Sequence, residues 1–188
     1  MEKYKATVQY TPDLIRKAER VINNTFYYKN NMIRIVFCIA CMIIGGYVQQ
    51  LLGTTMMFIG AVILAAGNMN GKRRAERIIE ALNGEEIKMS YSFHTDEVFG
   101  CVAQGNKSIY PYASLIRLLE DSEFFYLFTG KDQIFVIRKN TISSGRIEEF
   151  KKFMTQKTGL EWTKPVILFT LNIRQLLFNK ENTKCMGR

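Results

Sequence analysis

One histidine, four cysteines and two adjacent glutamate pairs are the side chains of this 188-residue chain best suited to chemistry. His94 closes the polar face of a strand beside Thr95 and Asp96, where a turn residue is expected rather than a catalytic base. Cys38 and Cys41 have the Cys-x-x-Cys spacing of redox and zinc sites, which need polar partners and access. Both fall in a long uncharged stretch, where free cysteine behaves as a small apolar residue. Cys101 and Cys185 have no evident partner, and a cytoplasmic setting would keep them reduced. One histidine with cysteines so placed does not assemble a zinc set. Glu85-Glu86 and Glu148-Glu149 start elements and read as turn and helix-terminus charges, not as an acid–base pair. The sequence has no Gly-x-x-x-x-Gly-Lys-[Ser/Thr] loop, no Gly-x-Ser-x-Gly elbow and no His-Glu-x-x-His. No enzyme activity, cofactor or metal is therefore expected. The remaining candidate is the basic run Lys72, Arg73 and Arg74, whose chemistry suits acidic lipid headgroups. The plainer reading of that run is a positive-inside membrane anchor.

That run stands at the end of the chain's most unusual segment. Residues 35–71 contain no Asp, Glu, Lys or Arg, in a chain that is 23% charged. A membrane span needs roughly 20 apolar residues. Two short helices, at about 32–48 and 55–68, therefore fit better than one, with a turn at 49–55. Lys3, Lys5, Arg16, Lys17, Arg20, Lys29 and Arg34 precede the first span, and Lys72, Arg73, Arg74 and Arg77 follow the second. Basic flanks belong on the cytoplasmic side, so both termini are expected there and the turn outside. The net charge of +9 then reflects topology and an anionic leaflet, not nucleic acid. A cleaved signal peptide fits poorly, because about 30 polar and amphipathic residues come first and a second apolar segment follows. Gly45-Gly46 and Ala61-x-x-x-Ala65 offer small surfaces for helix contact. The absence of intramembrane charge argues against an ion pathway.

The flanking segments must hold whatever site exists. Tyr4, Ala6, Val8 and Tyr10 alternate with polar residues and predict a strand. Thr11-Pro12 opens an amphipathic helix with Leu14, Ile15, Ala18, Val21 and Ile22 on one face. Arg16, Lys17, Glu19 and Arg20 lie on the other. Phe26, Tyr27 and Tyr28 suit either an interfacial belt or packing on the cytoplasmic domain. A helix over 72–83 follows the second span and stops at Asn83-Gly84. Ile87, Met89, Tyr91 and Phe93 alternate with polar residues in a further strand. Strands are expected at 97–103, 107–112, 114–120, 124–129 and 133–138, with a hairpin turn at Gly105-Asn106. Ser143-Ser144 should cap a closing helix that ends at Thr158-Gly159. The expected fold is thus a membrane helical hairpin plus an α+β domain, an antiparallel sandwich or barrel closed by a C-terminal helix. The divisions are 1–31, 32–70, 71–160 and a tail, 161–188, whose apolar stretch suits an interfacial helix or, less well at about 14 residues, a third span.

Strand order and closing helix resemble a pleckstrin-homology-like fold, with the early strand supplying the seventh. Two patterns carry a closer likeness: Ile109-Tyr110-Pro111-Tyr112-Ala113-Ser114-Leu115-Ile116-Arg117-Leu118-Leu119-Glu120, then Phe125-Tyr126-Leu127-Phe128 with Gln133-Ile134-Phe135-Val136-Ile137-Arg138-Lys139. With the hairpin before them, they resemble the YcxB-like family of small bacterial membrane proteins. Arg138 stands where that family usually has proline, and Lys139 keeps its basic position. The likeness covers about residues 3–160. It implies a bacterial cell-membrane protein and carries over no active-site residue. The expected role is a noncatalytic interaction or scaffold module at the cytoplasmic face, with the lipid bilayer and a membrane or cytoplasmic protein as partners. Headgroup binding and an accessory role beside a transporter are the alternatives.

Overall fold

The computed structural model describes residues 2–47, 51–66, 69–102, 107–143 and 146–165. Strand β1 (Tyr4–Tyr10) leads into helix α1 (Pro12–Phe26). Thr11 caps α1 by accepting a hydrogen bond from the Leu14 amide at 3.3 Å, and Pro12 begins it. Helices α2 (Tyr28–Tyr47), α3 (Leu51–Ala66) and α4 (Met69–Ala81) follow. Both hairpin helices begin a few residues earlier than expected, so Leu51 to Thr55 are helical rather than turn. Among the described residues α2 is the one helix long and apolar enough to cross a membrane, and only 11% of its apolar window is buried. The apolar part of α3, Gly53–Ile63, is shorter.

The α2–α3 contact is built from small residues spaced by seven. Cys38 and Gly45 are buried on α2, and Gly53 and Gly60 on α3. A Cβ at Gly45 would lie 2.6 Å from the Gly53 carbonyl oxygen, and one at Gly60 would lie 3.1 Å from that of Cys38. Seven residues are nearly two helical turns, so the four sites form one seam along which the backbones nearly touch. The seam includes the expected Gly45 but not the other expected small residues Gly46 and Ala61. Nothing lies within 4 Å of a Cβ at Gly46, and Ala61 is exposed. With the interior so thin, large side chains point outward: Ile33, Val36, Phe37, Ile43, Ile44, Phe58 and Ile59 are all exposed.

Beyond α4, Asn83 and Gly84 take positive φ (51° and 72°) and end the helix as expected. Two sheets then form, the first antiparallel and the second antiparallel except for its last strand. The first has order β1-β2-β3-β4, with β2 Ile87–Phe93, β3 Glu97–Val102 and β4 Lys107–Pro111. The early strand pairs with β2 from Tyr4↔Phe93 to Tyr10↔Ile87. The second has order β7-β6-β5-β8, with β5 Arg117–Glu120, β6 Phe124–Phe128, β7 Ile134–Arg138 and β8 Trp162–Thr163. The fold is therefore mixed α+β as expected, but the sheets do not close into a barrel. At one corner Pro111, which has no N–H, and a 3-10 turn at Tyr112–Ser114 interrupt the ladder where a longer strand was expected. At the other, irregular bonds replace a ladder: the Lys5 amide donates to Ser143 Oγ, and Thr141 Oγ1 donates to the Thr7 carbonyl.

That use of Ser143 explains why it does not cap helix α5 (Ile147–Thr158), whose N-cap position is Arg146. Ser144 and the Gly105-Asn106 turn lie outside the described residues. Gly159, in the left-handed region at φ 68°, ends α5. Phe150 of α5 is fully buried against the rings of Tyr4, Phe93 and Phe125. The core between the sheets also buries Tyr91, Leu118, Tyr126, Phe128, Val136 and Ile137. The start of the expected tail adds β8, parallel to β5, with Trp162 packed on Phe125 at 4.6 Å. Residues 166–188 lie outside the description.

Candidate functional site

Three segments meet where the helices join the sheets. Glu19 of α1 is 6% exposed, although its neighbours Arg16 and Arg20 face solvent as expected. Arg74 of α4 reaches over it, with Nε 3.2 Å from Glu19 Oε1. The same guanidinium pairs with the Asp132 carboxylate in the β6–β7 turn and donates to the Asp132 carbonyl at 2.9 Å. Tyr27 donates its hydroxyl to Asp132 Oδ1 at 3.4 Å. One arginine thus binds helix, helix and sheet together. Planar guanidinium suits that work, because its donors point in fixed directions toward two partners. Burial raises the Glu19 carboxyl above the usual range; Arg74 pulls it down and Asp132 pushes it up, without reversing the effect. The aromatic run before α2 serves the sheet domain. Phe26 stacks edge-on against Phe128 at 5.2 Å, and Tyr27 joins the Asp132 cluster.

Two cavities open on either side of this cluster. One, about 330 Å³, lies between the α1–α4 pair and the ends of β4 and β7, and Tyr110, Ile134 and Phe135 form its aromatic and apolar wall. Tyr110 and Phe135 meet there at 4.6 Å. Beneath them Tyr10 and Tyr91 share a hydroxyl contact of 3.1 Å, and the Val136 amide donates to Tyr10 at 3.0 Å. Burial raises both phenols, so neither supplies a ready base. The other cavity, about 290 Å³, lies between α1, the start of α2 and α4, and mixes polar side chains, among them Asn23, Asn30 and Asn31, with apolar surface such as Ile22.

The basic run is split by this arrangement. Lys72 and Arg73 are exposed at the start of α4, while Arg74 is committed to Glu19 and Asp132. The His94 carbonyl accepts from the Tyr112 hydroxyl at 2.8 Å, and the His94 amide donates to the Glu97 carbonyl at 3.0 Å, which places it in a turn. Cys38 is in the helix seam and Cys41 is half-buried beside it. Glu148 and Glu149 lie in the first turn of α5. Among the described residues no three His, Cys, Asp or Glu side chains stand close enough to hold a metal.

The comparison with known proteins covers the β3-to-α5 part of the chain. Residues 96–154 match the YcxB-like protein family. The matched YcxB-like segment begins at the turn before β3 and ends within α5. It contributes Asp132 and the Tyr110–Phe135 wall, whereas Glu19, Arg74 and the helix hairpin lie outside it. No curated protein matches the chain.

Proposed function

We propose that the chain is a noncatalytic, membrane-anchored interaction module of the bacterial cell membrane. In this reading α2 and α3 span the bilayer, both termini are cytoplasmic, and the sheet domain is displayed at the inner face. The outward apolar belt of a hairpin packed on a seam of small residues carries the proposal. A soluble domain rarely exposes a contiguous apolar surface of this kind, and lipid satisfies it. The basic residues on both flanks support the orientation. The domain is read as pleckstrin-homology-like. Strand order 1-2-3-4 in one sheet, 5-6-7 in the other and a C-terminal helix between them support this, with β8 as an addition. Holding such a domain at the bilayer raises its effective concentration toward membrane partners.

Two experiments test the reading. Single cysteines at Tyr47 and at Lys72 in a cysteine-free chain should react with an impermeant thiol reagent from outside only and from inside only, respectively. Reaction of both from the same side would overturn the topology. A photo-cross-linking residue at Ile109 on the β4 edge should yield a discrete protein adduct in cells, and recovery of lipid alone would sink the interaction role. Exposure of Lys72 and Arg73 favours a second reading, acidic headgroup binding. Their joint change to Gln should then abolish preference for anionic over neutral vesicles, with unchanged preference counting against it.

A further inference from the structure

The cavity between the α1–α4 pair and the ends of β4 and β7 has a volume of about 330 Å³, within the range of small-ligand sites. Ile15, Ile78, Tyr110, Ile134 and Phe135 give it an apolar and aromatic wall. Among the described residues, the charged groups that line it are Glu19, Asp132 and Arg74. Two carboxylates meet one guanidinium there, so at neutral pH these groups carry a net negative charge. Arg74 divides itself between them unequally. It donates to the Asp132 carboxylate and carbonyl, and Tyr27 donates to the same carboxylate. Its Nε stands 3.2 Å from Glu19 Oε1 as an ion pair, and among the described residues Glu19 accepts no hydrogen bond. The Glu19 side chain is 8% exposed. A carboxylate so far from bulk water, with its acceptor sites unused, lacks donors that water would otherwise provide.

We infer that this cavity binds a primary alkylammonium group, with its charge beside Glu19 and its carbon chain along the apolar wall. An anion is disfavoured by the second carboxylate. A guanidinium prefers to grip both oxygens of one carboxylate as a fork, and Arg74 already stands at Oε1. An ammonium is a compact charge with three donors and needs no such pair of oxygens. A quaternary ammonium has no N–H and would leave Glu19 without a donor. Two sources carry the required group: a lysine side chain on a partner segment, and a free alkylamine. The lysine source would give the interaction reading above a chemical partner, whereas the free amine is independent of it. Neither depends on the helix hairpin crossing a bilayer.

Calorimetric titration of the full chain in neutral detergent micelles tests the site and separates the sources. The probes are n-butylamine, which reproduces the lysine side chain, the uncharged 1-butanol, and Nα-acetyl-lysine N-methylamide, which adds the peptide backbone. Saturable binding of an amine without saturable binding of butanol is expected. Binding of the lysine derivative assigns the site to a lysine side chain, and binding of butylamine alone assigns it to a free amine. Glu19→Gln keeps the shape and removes the charge, and should weaken amine binding roughly tenfold, as expected for one charge-assisted hydrogen bond. Ile78→Trp should abolish it by filling the apolar wall. Asn30→Ala, which changes the other cavity, should leave it unchanged. Circular dichroism verifies that each variant is folded. Asp132→Asn, in an exposed turn, supplies the same charge readout if Glu19→Gln does not fold. No saturable binding of either amine overturns the inference, as does equal binding of butanol or amine binding unchanged by loss of the carboxylate charge. Such a failure leaves the thiol-labelling and cross-linking tests of the interaction module untouched.

Discussion

Arg74 serves two carboxylates, and one of them is buried. Arg74→Ala leaves Glu19 beneath the helix pair without its cation, and an unsatisfied buried group of this kind costs about 1–3 kcal/mol. A loss of that size is expected in chemical denaturation, and adding Glu19→Gln should recover much of it, because a neutral amide needs no counter-charge. Glu19 was not legible in the sequence. It shares the charged face of α1 with Arg16, Lys17 and Arg20, and its partners come from α4 and a distant turn. Glu120 shows the opposite electrostatic sign. Burial pushes its carboxyl up, but hydrogen bonds from Lys151 and Lys139 overcome this and hold it below its ordinary value of 4.5. A depressed carboxylate adds stability that is fully present above the unfolded value and is lost as pH falls through the folded one. The melting temperature of the native chain should therefore fall more steeply than that of Glu120→Gln below about pH 4.5, as followed by circular dichroism.

At the scale of elements, periodicity carried most of the information. Alternation marked β1 and β2, and Asn83-Gly84 marked the end of α4, because each signal is local. The hairpin seam was only partly legible, Gly45 lying in it but Gly46 and Ala61 not, for a physical reason. Small residues are frequent throughout both helices, and only the pairing shows that Cys38, Gly45, Gly53 and Gly60 share one line. Gly45→Val should destabilise the hairpin by about 1–3 kcal/mol through overpacking, since its Cβ would strike the Gly53 carbonyl at 2.6 Å. Gly46→Ala should leave the melting temperature in micelles unchanged or slightly raised. The start of α5 was also misread, because Ser143 is occupied by the Lys5 amide. Phe150→Ala should cost about 3–5 kcal/mol, because that ring touches β1, β2 and β6 together.

At the scale of the molecule, the sheets hold a helix pair at one corner and α5 at another, and the Arg74 cluster fastens the helix pair to the sheets. The β8 addition escaped the sequence reading because two residues are too few for any period, and a parallel partner leaves no hairpin signal. The hairpin's seam has a mechanical consequence. Helices joined by interlocking side chains can slide by repacking, whereas backbones in contact at two levels have no slack to give up. If the pair spans the bilayer as proposed, it meets a thinner or thicker membrane as one rigid rod, by changing tilt. Spin labels at Val36 and Val62, both exposed, should therefore keep a constant separation in short-chain and long-chain lipids while the angle to the bilayer normal changes. A separation that follows lipid length would show that the helices shear.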